Sequence, residues 1–459
     1  NSQCTEIGIY AFYGCTSLIS ITIPASVTSI GERAFYNCKG LTEINFNATN
    51  MSNLESNNYV FESAGRDCTG ITVNIGENVT RIPKYLFCPY TYSSSSSPKI
   101  TTVNFIGNSQ CTEIGAYAFN YCTSLTSITI PESVTSIGNS AFPNCTSLTS
   151  ITIPENVTSI GERVFYNCKG LTEINFNATN MSDLASGNDV FGYAGQDSTG
   201  ITVNIGENVP RIPAYLFCPA NYSGSSPKIT TVNFIGNSQC TEIGERAFYS
   251  CESLTSITIP ESVTSIGAYA FNYCTSLTSI TIPASVTSIG ERAFYNCKGL
   301  TEINFNATNM SDLANGNYVF SNAGRDSIGI TVNIGENVTR IPAYLFYPYN
   351  RSSTYSPKIT TVNFIGNSQC TEIGASAFQY CDSLTSITIP ESVTSIGHSA
   401  FEGCTSLSSA TFENKYVWSV STTEGGVGTE IPAEDLSDTA TAASYLTDVY
   451  DNYYWTRKQ

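Results

Sequence analysis

Charge is scarce in this chain. Only 12% of its 459 residues are Asp, Glu, Lys or Arg, about half the usual share. Bases are the scarcer kind, 20 Lys and Arg against 37 Asp and Glu, for a net charge of -17. A phosphate backbone is bound by clustered Lys and Arg, so a nucleic-acid partner is excluded. Histidine occurs once, at His398, which excludes most His-based catalysis and any multi-His metal site. No CxxC pair occurs, and no Gly-rich phosphate loop precedes a helix. No run of 18 apolar residues reads as a membrane span. No basic-then-apolar leader opens the chain, so any export signal is expected to have been removed. What is abundant is apolar matter, at 41% with 12% aromatic, enough to fill a core.

The apolar residues are arranged periodically. The string SQCTEIG begins at Ser2, Ser109, Ser238 and Ser368, so large blocks of about 130 residues recur, the first one shortened. Within each block runs a smaller unit, plain in CTSLTSITIPESVTSIGNSAFPN from Cys122 to Asn144. A Phe marks each unit, as at Phe119, Phe142, Phe165, Phe191 and Phe217, and sixteen such marks run from Phe12 to Phe401. Leu125, Ile128 and Ile130 alternate as a short strand with one buried face, which Pro131 stops. Val134, Ile137 and Phe142 follow at wider spacing, where the chain turns and returns. One such unit cannot bury its own apolar face; a stack of them can.

The stretch LTSITIPESVTSIGERAFYNC, assembled from these units, resembles the BspA-like class of the leucine-rich repeat superfamily. The resemblance covers residues 1–412. It implies a mainly β repeat solenoid, right-handed, of about sixteen coils, with a parallel sheet on the inner face and short helical or 3₁₀ turns outside. It also implies an extracellular or cell-surface location and an adhesive role. No cofactor is implied.

Both ends differ from the repeat. Asn1 lacks the strand that precedes Asn108, so the natural protein is expected to continue upstream. Residues 413–459 hold both tryptophans, Trp418 and Trp455, and read as a C-terminal cap. Leu436, Ala440, Ala443, Leu446, Val449 and Tyr453 predict a helix from Ala433 to Trp455, and Ser437 or Asp438 could cap a later start. Of 17 cysteines, ten share one unit position, from Cys15 and Cys38 to Cys404. Cys4, Cys111, Cys240 and Cys370 replace a valine. Stacked side chains aimed one way rarely reach disulfide torsion, so free, buried thiols are expected.

Two surfaces are candidate binding sites. The outward strand positions form a lawn of Ser, Thr and Asn with sparse glutamates, represented by Glu173, Asn175, Asn204, Asn233 and Glu302. Such ladders can simply bond along the sheet, or can offer a broad polar face to a protein or glycan. The long insertions CPYTYSSSSSP, CPANYSGSSP and YPYNRSSTYSP mix Tyr with small polar residues, as antibody binding loops do. Their candidates are Tyr90, Tyr92, Tyr222, Tyr349 and Tyr355, which could equally pack on the solenoid flank. Repetition of Glu43 at Glu173 and Glu302 argues against a unique catalytic pocket. The expectation is a non-enzymatic, monomeric binding protein whose partner is a host matrix or cell-surface protein or a glycan. The alternative is a spacer with no ligand of its own.

Overall fold

The computed structural model describes residues 3–89, 95–220, 224–351, 353–413 and 416–458. The chain divides into two compact units, Asn1–Gln239 and Cys240–Gln459, and the same coil is stacked within each. In the first unit the Leu-x-x-Ile-x-Ile motif forms parallel inner strands. Ser20–Ile23, Glu43–Phe46, Ile71–Ile75, Ile100–Phe105 and the two-residue Ser127–Ile128 follow one another in one sheet. Ser150–Ile153, Glu173–Phe176, Ile201–Ile205 and Ile229–Phe234 follow one another in the next. Alternation is kept: Ile174 and Phe176 are buried while Glu173 and Asn175 face out.

Proline sets where these sheets part. The residue after each strand normally donates its N–H to the coil before it, as Gly76 does to the Phe46 carbonyl at 2.9 Å. Pro131 and Pro154 occupy that place in their coils and have no N–H to give. Ser127–Ile128 is accordingly short, and no ladder joins it to Ser150–Ile153.

A second set of short strands lies behind the first. Arg81–Ile82, Glu113–Ile114, Ser136–Ile137 and Ser159–Ile160 pair in parallel, the last three each closed by a glycine. Gly138 shows why: a Cβ there would stand 2.6 Å from the Ala116 nitrogen of the preceding coil.

The outer side is a ladder of turns. Around each marker Phe, alternate N–H groups point to the next coil. Tyr117, Phe119 and Tyr121 donate to Asn139, Ala141 and Pro143 at 2.8–3.0 Å, while Asn120 and Cys122 donate back within their own turn. This alternation puts the residues two before and two after the Phe in the left-handed region: Tyr117, Tyr121, Ser140, Asn144, Arg163 and Asn167 have φ between 50° and 61°. The Phe rings stack inside. Phe119, Phe142 and Phe165 follow at centroid distances of 5.1 and 5.5 Å, and each is fully buried.

The second unit repeats this plan. Ser279–Ile282, Glu302–Phe305, Ile330–Ile334 and Ile359–Phe364 form one parallel sheet, and Ser386–Ile389 pairs with Ser409–Phe412. The tail then departs from the repeat. Trp418–Ser421 pairs antiparallel with Thr429–Ile431 and with Tyr454–Arg457, and the last strand also runs antiparallel to Ser395–Ile396. The helix expected over 433–455 is therefore shorter. It consists of Ala433–Ser437 and Thr439–Ser444, followed by one wide turn over Tyr445–Val449. Asp438 breaks it, capping the second segment through a 2.8 Å bond from the Thr441 N–H. Trp455 lies on a strand, because its ring is needed with Trp418 over Phe412, at 6.3 and 6.0 Å. Those two indoles are 0% and 2% exposed.

None of the 17 cysteines is in a disulfide. In the shared column Cys38, Cys145, Cys168, Cys274, Cys297 and Cys404 each donate to the carbonyl of the marker Phe one coil earlier, as Cys145 does to Phe119 at 3.4 Å and Cys168 to Phe142 at 3.2 Å. Those six thiols are therefore held by backbone acceptors. Cys4 and Cys15 depart from the expected burial. Both are exposed, because no coil in this chain lies before theirs.

Candidate interaction surfaces

The inner-face residues are tied together along the sheet. Parallel pairing places Asn175, Asn204 and Asn233 in one row. The Asn204 amide donates to Asn175 Oδ1 at 2.9 Å and to Glu173 Oε1 at 3.1 Å, and its own Oδ1 accepts from Asn233 at 3.1 Å. Glu302 accepts likewise from Asn333 at 3.0 Å. Glu173, Asn175, Asn204 and Glu302 thus spend hydrogen-bonding capacity within the sheet, and all four are only half exposed. Asn233 ends its row and is exposed.

Of the insertion tyrosines, Tyr90, Tyr92 and Tyr222 lie outside the described residues. Tyr349 and Tyr355 are placed, and they meet. Their rings stand edge-on at 5.3 Å, and Tyr349 also meets Tyr318 at 5.2 Å. The backbone pins this loop. Asn322 N–H and Ser321 Oγ both donate to the Tyr355 carbonyl, at 2.7 and 2.8 Å. Both tyrosines pack on the flank of the stack, half buried.

What they pack against escaped the sequence reading. The Arg292 guanidinium sits 5.2–5.8 Å from the rings of Tyr269, Tyr295, Tyr318 and Tyr349. It donates to the Tyr269 hydroxyl at 3.1 Å and lies 3.5 Å from Glu291. Burial raises the Tyr269 pKa, and its hydrogen bond to Glu291 adds to the rise. In the first unit Arg33 lies between Tyr36 and Tyr59, at 5.8 and 5.7 Å, and donates to the Tyr10 hydroxyl at 3.3 Å. Arg163 lies over Tyr166 at 5.5 Å, in a hollow of about 310 Å³ shared with Tyr117, Tyr121 and Asn144. Tyr10, Tyr13, Arg33 and Tyr36 line another of about 590 Å³. Tyr10 and Tyr13 are 46% and 51% exposed.

The signal for this cluster was present. GER-A/V-FYNC recurs at Arg33, Arg163 and Arg292, 130 and 129 residues apart. Only the left-handed turn turns that spacing into contact, by lifting each Arg over the tyrosine three residues on and, at Arg33 and Arg292, onto tyrosines of neighbouring coils. One copy differs. Where Tyr59 and Tyr318 stand beside their arginines, the middle copy has Asp189, whose carboxylate lies 3.9 Å from Arg163 and accepts from the Ala220 N–H at 3.1 Å. Its side chain is 3% exposed, and burial raises its pKa against those two partners.

Among the described residues, no group of three or more His, Cys, Asp or Glu is arranged to hold a metal ion. His398 rests 2.9 Å from Ser399 Oγ and 5.5 Å from the Tyr454 ring, against the tail. No helix among the described residues is long and apolar enough to cross a membrane.

Against known proteins, the model of the BspA type leucine rich repeat region, which holds six copies, matches residues 5–110, 89–222, 220–352 and 351–421. No curated protein matches the chain. Among solved structures it is similar to a leucine-rich repeat protein from Bacteroides ovatus, at 23% identity over 86% of both chains with a TM-score of 0.41. It is also similar to a leucine rich cell surface protein from Faecalibacterium prausnitzii, at 22% identity over 86% of this chain and 88% of that one, with a TM-score of 0.28. A third is the pneumococcal vaccine antigen PcpA, at 15% identity over 86% and 89%, with a TM-score of 0.31.

Proposed function

Because this chain belongs to the BspA-type leucine-rich repeat family, we propose that it is a non-enzymatic binding protein of the cell surface or exterior, acting as an adhesin. The observation that carries this is the recurrence of the Arg–Tyr cluster on the flank of the stack in each unit. Tyr and Arg are the residues that dominate binding energy when a partner excludes water from them. Here the rings are held by cation–π contacts and by the turn, so little side-chain freedom remains to be lost on binding. The partner is a matrix or cell-surface protein, and several such clusters on one chain add avidity.

The test is a binding screen against matrix proteins and whole cells, with Tyr13→Ser, Tyr36→Ser, Tyr166→Ser and Tyr273→Ser combined, Tyr273 being the exposed ring 6.2 Å from Tyr295. These rings lie on or near the surface, so the melting temperature should hold while binding falls at least about tenfold. Undiminished binding moves the site to the inner face. A second reading, a spacer without a ligand, is favoured by the inner face, whose amides are taken up in their own ladder. No binding by the parent protein to any matrix protein or cell would support it.

A further inference from the structure

The second unit holds a cleft that the repeat alone does not make. Its two walls are the ends of neighbouring coils, at Asn363 and at Thr388. Pro390 stands where other coils donate to the preceding strand, as Gly335 does to the Phe305 carbonyl at 2.9 Å. The Phe364 carbonyl lacks that donor, no ladder joins Ile359–Phe364 to Ser386–Ile389, and a notch opens between them. The first unit has a similar notch at Asn104, Thr129 and Pro131, of about 210 Å³, although there Ile100–Phe105 still pairs with Ser127–Ile128. In the second unit the tail closes over it with Glu413, Tyr416 and Arg457, and the volume is about 610 Å³. That is the size of a small-ligand site, where the bare notch is too small.

We propose that this cleft binds a neutral saccharide. Arg457 is fixed there: its guanidinium lies 4.6 Å from the Tyr416 ring and donates to the Glu391 carbonyl at 2.7 Å. Most of its five N–H donors remain for a ligand. Acceptors stand opposite, namely the exposed Glu391 and Glu413 carboxylates and the Phe364 carbonyl. Thr388 is exposed and can do either. Asn363 ends its ladder, its amide donating to Asn333 at 3.0 Å while the side chain stays exposed. Donors and acceptors so mixed suit hydroxyl groups, each of which is both. Two carboxylates beside one guanidinium leave the cleft with a single net negative charge, which opposes an anion, while Arg457 opposes a cation. Tyr416, 47% exposed, offers a ring for the C–H face of a sugar. The cleft is separate from the Arg–Tyr flank and is tested independently of it.

Titration calorimetry of the full chain with neutral oligosaccharides of glucose, galactose and mannose tests this, beside a glycoprotein before and after enzymatic deglycosylation. Binding of a free oligosaccharide, or glycoprotein binding that is lost with the glycan, supports the site, and the two arms tell which source is used. Glu413→Gln and Tyr416→Ala should each weaken that binding about tenfold or more, with the flank variants unaffected. Where Tyr416→Ala lowers the melting temperature, Thr388→Val replaces it. Saccharide binding that survives these variants overturns the proposal. So does inertness to every neutral saccharide, whether nothing binds or a charged peptide binds instead.

Discussion

Access to water separates the thiols of this chain. Burial pushes Cys38, Cys88, Cys111 and Cys370 up to about 11 and Cys404 to about 12. Burial likewise holds the fully enclosed Cys122, Cys145 and Cys274 well above the ordinary thiol range. The reactive species is the thiolate, so these residues should be inert in the native state. Alkylation at pH 8 followed by mass spectrometry should label the exposed Cys4 and Cys15, and the half-buried Cys68 slowly. Denaturant should open all 17. Rapid native labelling of Cys145 would contradict the burial. Asp189 is the opposite kind of residue, a carboxylate burdened by its site. An unfolded Asp loses its proton near pH 3.9, and burial makes the folded one hold it to higher pH. Ionisation therefore removes stability as pH rises through the folded pKa, and that stability is kept below. Asp189→Asn should raise the melting temperature at pH 7, with the gain shrinking as pH falls toward 4. No gain at pH 7 would mean that Arg163 and the Ala220 N–H offset the burial.

At the scale of the element, the outer turn is the costly part of each coil. A non-Gly residue in the left-handed region costs roughly 1–2 kcal/mol, and each coil holds up to two. The choice of residue limits that cost: Asn144, Asn167, Gly14 and Gly403 tolerate it, and Ser140 is small. The Phe stack offsets the rest, each buried ring contributing about 1.5–3 kcal/mol. Ser140→Gly should stay within about 1 kcal/mol of the parent, whereas Ser140→Val should lose more than about 2 kcal/mol. Phe142→Ala, between two stacked rings, should cost about 3–5 kcal/mol. Chemical denaturation measures all three, and equal values for Gly and Val at 140 would refute the strain.

At the scale of the molecule, stability in a stack is a sum over coils and their neighbours. The tail closes the last coil, with Trp418 and Trp455 covering Phe412 and the 454–457 strand paired to Ser395–Ile396. Trp455→Ala should cost about 3–5 kcal/mol and uncover the end of the second unit. Hydrogen exchange should then quicken first in Ser386–Phe412 and leave Ser150–Phe176 protected. Uniform quickening would mean that the chain unfolds as a single body. The net charge of -17 acts on the whole too: by keeping copies apart, it favours a soluble protein away from the pI.

Periodicity alone determined the coil. Alternating Ile positions permit one buried face and a marker Phe permits one stack, so the sixteen coils, the inner strands and the burial of all the cysteines but Cys4, Cys15 and Cys68 were legible from residues such as Leu125, Ile128 and Phe142. The resemblance to BspA-like repeats was legible for the same reason. Contacts between coils were not, because they depend on backbone conformations that spacing does not state. The left-handed φ of Arg33 and Arg292 sets those side chains beside tyrosines of neighbouring coils, and the parallel register decides that Asn204 spends its amide on Asn175 and Glu173. The tail was legible in composition but not in form. Asp438 breaks its helix, and only the packing of Trp455 over Phe412 makes the last residues a strand. The cleft belongs to tertiary structure altogether, since Pro390, Glu413 and Arg457 meet only once that strand has folded back along the stack.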